Sequence, residues 1–451
     1  MTITVTKSSP VLVGPATAPP PAEHVKLTSF DKALAFFPVT SFHVFDHAIP
    51  EPAETVRRGL SRALVHYFPV AGRLVVVAGD DDLRIACTGE GVSFVAATAD
   101  CSLADVKLLD PPFGNDNAPL MRDLAAGGAG VGEEGFRASD PLLLVQVTEF
   151  ACGGFVLAAT RNHAVADGTG FAQLLRAAGD LARGAPRPSL LPVTRGGGSL
   201  PLLPPRVAAM ERALLELPPR DFAYLDVTVP FGCINRIKSE FFAAAHASGD
   251  DDGEEDTCTV FEAVVAVLWR CRTRVVMTDA DAPAPLVFAA SVRDLVGAER
   301  GYYGNCITSA VAVPTSGEVA SGSVVDMVRL IKRAKNQMLR QFRIKKKDDN
   351  LVAGAEEGEE GHDDQLDDVD EEVMFGYNAL DVTSWRNLGA DAVDFGGGTP
   401  ARVMCRFDRM PVPYCVACPP CRGKDDGANV LARCVREEHV DAFLGELTAF
   451  F

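Results

Sequence analysis

At 451 residues, 47% of them hydrophobic, the chain can fill the cores of two or three ordinary globular domains. Its formal charge of -18 argues against nucleic acid as a partner, but 13 of the 61 acidic residues fall between 348 and 372, where there is no Lys or Arg. Without that run, 48 acidic residues face 43 basic ones, and the rest of the chain is nearly balanced at -5.

The first twenty-one residues carry Lys7 and an apolar stretch broken by Pro10, Pro15 and Pro19 to Pro21, which lacks the continuous hydrophobic segment of a secretory signal. No apolar run reaches membrane-spanning length, so a soluble cytoplasmic protein is expected, with its twelve cysteines reduced. A helix is predicted over 54 to 67, where Val56, Leu60, Leu64 and Tyr67 share one face. Residues 75 to 89 follow as a hairpin turning through Gly79-Asp80-Asp81-Asp82. Leu142 to Val147 and Phe155 to Thr160 read as strands joined through Gly153-Gly154. Phe171, Leu174, Leu175, Ala178 and Leu181 then repeat at helical spacing.

Between that second strand and that helix lies Asn162-His163-Ala164-Val165-Ala166-Asp167-Gly168-Thr169-Gly170. An imidazole leaving a strand just before a glycine-rich helix start is well placed to act as a general base, although H-x3-D alone is a weak pattern. From Gly184 to Pro219 there are eight of the thirty prolines and Gly196-Gly197-Gly198, predicting an extended crossover between two halves. The second half shows helices over 258 to 276 and 323 to 342, the latter running into the basic Arg343 to Lys347. The acidic segment 348 to 372 reads as a disordered insertion. Strands are expected near 380, 403, 415 and 430, and an amphipathic helix closes the chain with Val440, Phe443, Leu444 and Leu447. Cys415, Cys418 and Cys421, with Cys405 and Cys434, read as a cysteine-rich hairpin around Pro419-Pro420 rather than a metal site.

Five segments in this order resemble the plant BAHD acyltransferases: His66 to Leu74, His163 to Gly170, Tyr302-Tyr303-Gly304-Asn305, Thr383-Ser384-Trp385 and Asp394-Phe395-Gly396-Gly397-Gly398. The resemblance spans nearly the whole chain. It implies an α/β class with mixed sheets in a two-domain chloramphenicol acetyltransferase-like fold, a solvent channel between the domains, and a monomer. Residues 1–183 would form the first domain, 184–219 the linker and 220–451 the second domain. Acyl-CoA would enter as co-substrate from one face and a small alcohol or amine from the other. No permanently bound cofactor is expected.

The same resemblance makes His163 the base and Trp385 an indole N–H donor to the developing oxyanion. It turns Asp167 away from the histidine to pair with Arg293, and leaves Asp394 to hold its loop. Asn305 and Thr383 would line the substrate site, Thr383 on the acceptor side. Gly168 and Gly170 would let a pantetheine arm approach the backbone, though turn geometry alone would also justify them. Two positions depart from the family pattern. Gly397 stands where tryptophan is usual, predicting a packing gap or a looser loop, and Thr399 replaces a basic residue, so Lys238 or Arg402 would supply charge for CoA phosphates. A hydroxycinnamoyl or benzoyl donor is favoured. With no Lys or Arg between 348 and 385, a neutral alcohol or an amine is favoured over a carboxylate-bearing acceptor. Two other readings remain: a thioester hydrolase, although G-x-S-x-G is missing, and a degenerate acyl-CoA binder, which Gly397 keeps open.

Overall fold

The computed structural model describes residues 3–18, 24–76, 82–109, 118–126, 135–193, 200–248, 257–348, 370–406, 410–423 and 426–451. The turn at Gly79 to Asp81, the Gly196 to Gly198 run and most of the acidic segment (349–369) lie outside them.

Two mixed sheets organise the chain. The first contains β1 (Val5–Lys7), β2 (Val11–Val13), β4 (Pro38–Phe45), β7 (Val92–Ala99), β8 (Leu143–Phe150), β9 (Phe155–Asn162) and β14 (Arg402–Arg406). Its order is β1-β7-β8-β9-β4-β14, with β2 also on β7. The second sheet runs β10 (Leu225–Pro230), β16 (Gly427–Arg433), β15 (Tyr414–Ala417), β13 (Leu380–Ser384), β11 (Leu286–Ser291) and β12 (Ile307–Ala312). A small third sheet joins β3 (His24–Lys26), β6 (Leu83–Ala86) and β5 (Arg73–Val76). Strands β8 and β9 are buried along nearly their whole length, because helices cover one face and the other faces the second sheet.

On the first sheet lie α2 (Pro52–His66) and α4 (Gly168–Ala182), whose Leu60, Leu64, Leu174, Leu175 and Leu181 fill one core. The second sheet is covered by α6 (Phe231–Ser248), α7 (Val260–Val276), α9 (Val324–Asp348) and α11 (Val440–Phe450), with Trp269, Val328 and Phe443 fully buried between them. Short helices α1 (Ser29–Ala33), α3 (Ala118–Asp123), α8 (Ser316–Ser321) and α10 (Glu371–Met374) complete the set with α5 (Pro205–Glu216). A third core joins the opposite faces of both sheets, where Phe42, Ala158 and Met404 meet Val416, Cys418 and Leu431.

The halves exchange pieces. Phe30 and Ala33 of α1 pack in the second core, Phe30 stacking on Phe342 at 6.1 Å, while β14 pairs with β4 in the first sheet and Val393 and Phe395 enter the first core. A cut at 184–219 therefore separates the two sheets except for these two crossings. The expectation of a purely extended crossover is corrected by α5. Pro204 and Pro205 open this helix instead of breaking it, since proline at the first helical position lacks only an N–H that has no partner there anyway. The acidic run is corrected at its end as well, because Asp370 caps α10 and residues 371 and 372 are helical.

Candidate active site

Where β9 ends, the chain is held by Asn162, whose side-chain oxygen accepts from the N–H of Phe36 and of Ala164, both at 3.0 Å. The N–H of His163 donates to the carbonyl of Phe37 at 2.8 Å. These bonds turn His163 out of the strand and leave it half-buried, facing the second half of the molecule. There its Nδ1 lies 3.0 Å from Oδ1 of Asn305, two residues before β12. An amide oxygen only accepts, so Nδ1 carries the hydrogen and the lone pair sits on Nε2. Asn305 Nδ2 donates back to the carbonyl of His163 (2.9 Å) and to Oδ1 of Asp31 (2.8 Å), and the same Oδ1 accepts from the Asn305 N–H at 3.1 Å. Burial, reinforced by the positive charge of Arg161, lowers the His163 pKa from 6.5 to about 3, so the ring is neutral at physiological pH.

Asp167 caps α4, accepting from the Gly170 N–H at 2.9 Å, and turns its carboxylate away from His163. Arg293 Nη2 reaches both of its oxygens at 2.7 Å, and the Cys306 N–H adds a further bond at 3.1 Å. Arg293 also donates to the carbonyls of Tyr302 and Gly304 at 2.6 and 2.7 Å, so one guanidinium ties the start of α4 to the segment that delivers Asn305.

A model of the Transferase family matches residues 1–447. Acyl transferase 15 of Oryza sativa subsp. japonica is 39% identical, over 99% of this chain and 98% of its own length. The chain belongs to the BAHD acyltransferase family. A myricetin 3-O-glucosyl 1,2-rhamnoside 6'-O-caffeoyltransferase of Crocosmia x crocosmiiflora is 32% identical over the full length of both chains. Among solved structures, vinorine synthase shares the fold with a TM-score of 0.67 at 18% identity, covering 99% of this chain and 98% of that one. F. sporotrichioides TRI101 complexed with Coenzyme A and T-2 gives 0.64 at 17%, covering 94% and 98%.

Several expected site residues of this acyltransferase lie elsewhere than expected. Asn305 is fully buried and its amide is spent on His163 and Asp31, which corrects its assignment to substrate binding. A Cβ on Gly170 would come within 1.8 Å of the Tyr303 carbonyl, and one on Gly168 within 2.3 Å of Leu388. At Gly170 the backbone of Tyr303 therefore requires glycine for close packing, whereas at Gly168 the neighbour is the end of the Leu388 side chain. Arg402 is 1% exposed and paired with Asp226, donating also to the Leu108 carbonyl at 3.2 Å. An arginine so enclosed cannot meet CoA phosphates, and that expectation is corrected. Lys238 sits half-buried on α6, with its charge felt at Cys258 next to the start of α7.

Trp385 is 8% exposed in the core shared by the two sheets, and its backbone N–H donates to the Ala417 carbonyl at 2.8 Å. Thr383 on β13 lies opposite Val416 of β15. Asp394 accepts from the N–H groups of Gly396 and Gly398 at 2.7 and 3.0 Å and pairs with Arg183 at 3.3 Å. No gap follows from Gly397. The space its side chain would take is filled by His47 and Ile49, within 2.5 and 2.6 Å of an added Cβ, so the missing tryptophan is compensated.

Two hollows flank the β13 strand. A cleft of about 470 Å³ is lined by Thr259, Ser291, Lys335, Ser384, Arg386 and Asn387, reaching the residues on either side of Trp385. A narrower pocket on the sheet's other side holds Glu211, Ser309 and Asp381 among Met210, Leu214 and Phe375. Burial raises the pKa of both carboxylates, that of Asp381 well above the usual range. The sequence reading missed Asp31, Arg161, Lys335 and Arg386. Thr28 and Asp31 form a capping box in the structure, and Asp31 bonds in addition to a residue 274 positions on.

Proposed function

We propose that this acyltransferase moves an aromatic acyl group, hydroxycinnamoyl or benzoyl, from acyl-CoA to the hydroxyl or amine of a small acceptor, with His163 as general base. The observation that carries the reading is the His163 ring: neutral, half-buried, with Nδ1 engaged by Asn305 and the Nε2 lone pair remaining. In the reaction, Nε2 takes the acceptor's proton as its oxygen or nitrogen attacks the thioester carbonyl. The C–S bond then breaks, the electron pair leaves with sulfur, and the imidazolium returns the proton to give free CoA thiol. A thiolate leaves readily, so a ternary complex suffices and no acyl-enzyme is needed.

The large cleft suits the donor. Lys335 and Arg386 at its walls can offset phosphate charge, with Lys238 on α6 as a further cation, and its lining includes Ser384 at the end of β13, next to Trp385. The indole N–H is then the proposed donor to the oxyanion, a contribution of about 3 to 4 kcal/mol for a well-placed group. Thr383 and the Glu211 pocket fit the acceptor side, where two buried carboxyl groups among apolar side chains offer no cation to an anionic acceptor and can hydrogen-bond an alcohol or amine. The name of the Crocosmia relative, a caffeoyltransferase acting at a hydroxyl, supports a hydroxycinnamoyl donor.

The test is a mass-spectrometric cross of coumaroyl-, feruloyl-, benzoyl-, malonyl- and acetyl-CoA with panels of alcohols and amines. Conjugates with an aromatic donor, and CoA release that depends on acceptor, are expected. Rapid CoA release without acceptor would turn the reading to a hydrolase.

A further inference from the structure

We infer that Asp31 is a positioning residue that fixes which ring nitrogen of His163 is free to accept a proton, by locking the orientation of the Asn305 amide. This rests on the proposed role of His163.

A carboxamide has nearly the same shape when its oxygen and nitrogen exchange places, so shape alone does not choose between the two orientations. The chemistry at this position depends on the choice. With Oδ1 toward the imidazole, Nδ1 carries the hydrogen and Nε2 keeps its lone pair. With Nδ2 there instead, Nδ1 would have to accept, the hydrogen would move to Nε2, and no lone pair would face a nucleophile.

Asp31 is fully buried and divides its two oxygens between two tasks. Oδ2 accepts from the N–H and hydroxyl of Thr28, at 3.0 and 2.8 Å, and so caps α1. Oδ1 accepts from the N–H and Nδ2 of Asn305. Oδ1 already accepts from the Asn305 backbone N–H and Oδ2 from two groups of Thr28, so the amide end that meets Oδ1 must be the NH2 group. The carbonyl of His163 supports the same orientation from the other side. Because α1 packs in the core of the second half and Asn305 precedes a strand of that half, both residues come to the imidazole on one body.

Asp31→Asn tests this with almost no change in volume. The new side chain keeps one oxygen for two backbone N–H groups, those of Thr28 and Asn305; with that oxygen on the Thr28 cap its NH2 faces Asn305, and the Asn305 amide flips to meet it. Nitrogen-15 spectra of histidine-labelled free enzyme, with the His163 signal among the eight histidines assigned by its loss in His163→Gln, report the tautomer directly. The expected result is a shift from the Nδ1–H to the Nε2–H form in Asp31→Asn. It should come with a fall in kcat of about 10- to 10³-fold and an unchanged KM for acyl-CoA.

Thr28→Val is the control. It removes a cap on α1 but leaves Oδ1 and Asn305 in place, so it should lower the melting temperature and keep the Nδ1–H form. Retention of Nδ1–H in both Asp31→Asn and Asp31→Leu, the second of which leaves the Asn305 amide no acceptor at this position, or its equal loss in Thr28→Val, overturns the inference. A tautomer shift with unchanged kcat would leave the lock standing and remove His163 as the base. If Asp31→Asn does not fold, Asn305→Ala carries the test: deleting the acceptor must release the Nε2–H form, and an unchanged spectrum contradicts the lock.

Discussion

Two buried arginine–carboxylate pairs join the halves of the molecule, and they do different work. Asp226–Arg402 ties β10 of the second sheet to β14 of the first, with both side chains sealed from water and Asn429 bonded to the same carboxylate. Asp167–Arg293 has the same chemistry, but its aspartate caps α4, four residues beyond His163, and its arginine grips the carbonyls that lead into Asn305. One pair is a clamp between sheets; the other sets where an imidazole sits relative to its hydrogen-bond partner. An ion pair's contribution to function is therefore decided by what else its two members hold.

Breaking either pair by Arg402→Ala or Asp167→Ala leaves a buried charge without its partner, and each should cost about 3 to 5 kcal/mol in urea unfolding. Rate should separate them. Per folded molecule, Arg402→Ala should keep kcat and the KM for acyl-CoA within about threefold, whereas Asp167→Ala should lose more than about tenfold in kcat. A large rise in the acyl-CoA KM of Arg402→Ala would return that arginine to the donor site. Trp385→Phe comes next and is expected to lower kcat by about 10²-fold with KM nearly unchanged.

A smaller effect is expected at Gly397, where alanine must displace His47 and Ile49 at a cost of about 1 to 3 kcal/mol, seen in the melting temperature and not in kcat.

The mildest test is pH. Burial lowers the pKa of His43 to about 4 and that of His163 to about 3, against 6.5 when unfolded. Their unfolded forms bind protons that the folded forms refuse, so their stabilising effect is complete above pH 6.5 and drains away as pH falls below it. The melting temperature should drop from pH 7 to pH 5, and by less in His43→Leu. An equal drop in that variant would remove His43 as a contributor.

The clamp and the imidazole were not equally legible in the sequence. The positions of His163, Asp167 and the helix after them could be read because strand, turn and amphipathic helix follow one another between Phe155 and Ala182, and local periodicity carries that information. Arg293 was found through the segment around it. Arg402 was misread because a surface cation and one facing an aspartate 176 positions away look alike in sequence. Asp31 carried no signal of its bond to a residue 274 positions on, and the compensation for Gly397 came from His47, some 350 residues upstream. The helix α5 was hidden by prolines that in fact begin it.

The most direct measurement is acceptor-dependent CoA release by His163→Ala, normalised to folded protein. A loss of about 10² to 10⁴-fold with a wild-type melting temperature is what a neutral imidazole acting as the base requires. Turnover within about threefold of wild type would show that the proton is taken elsewhere.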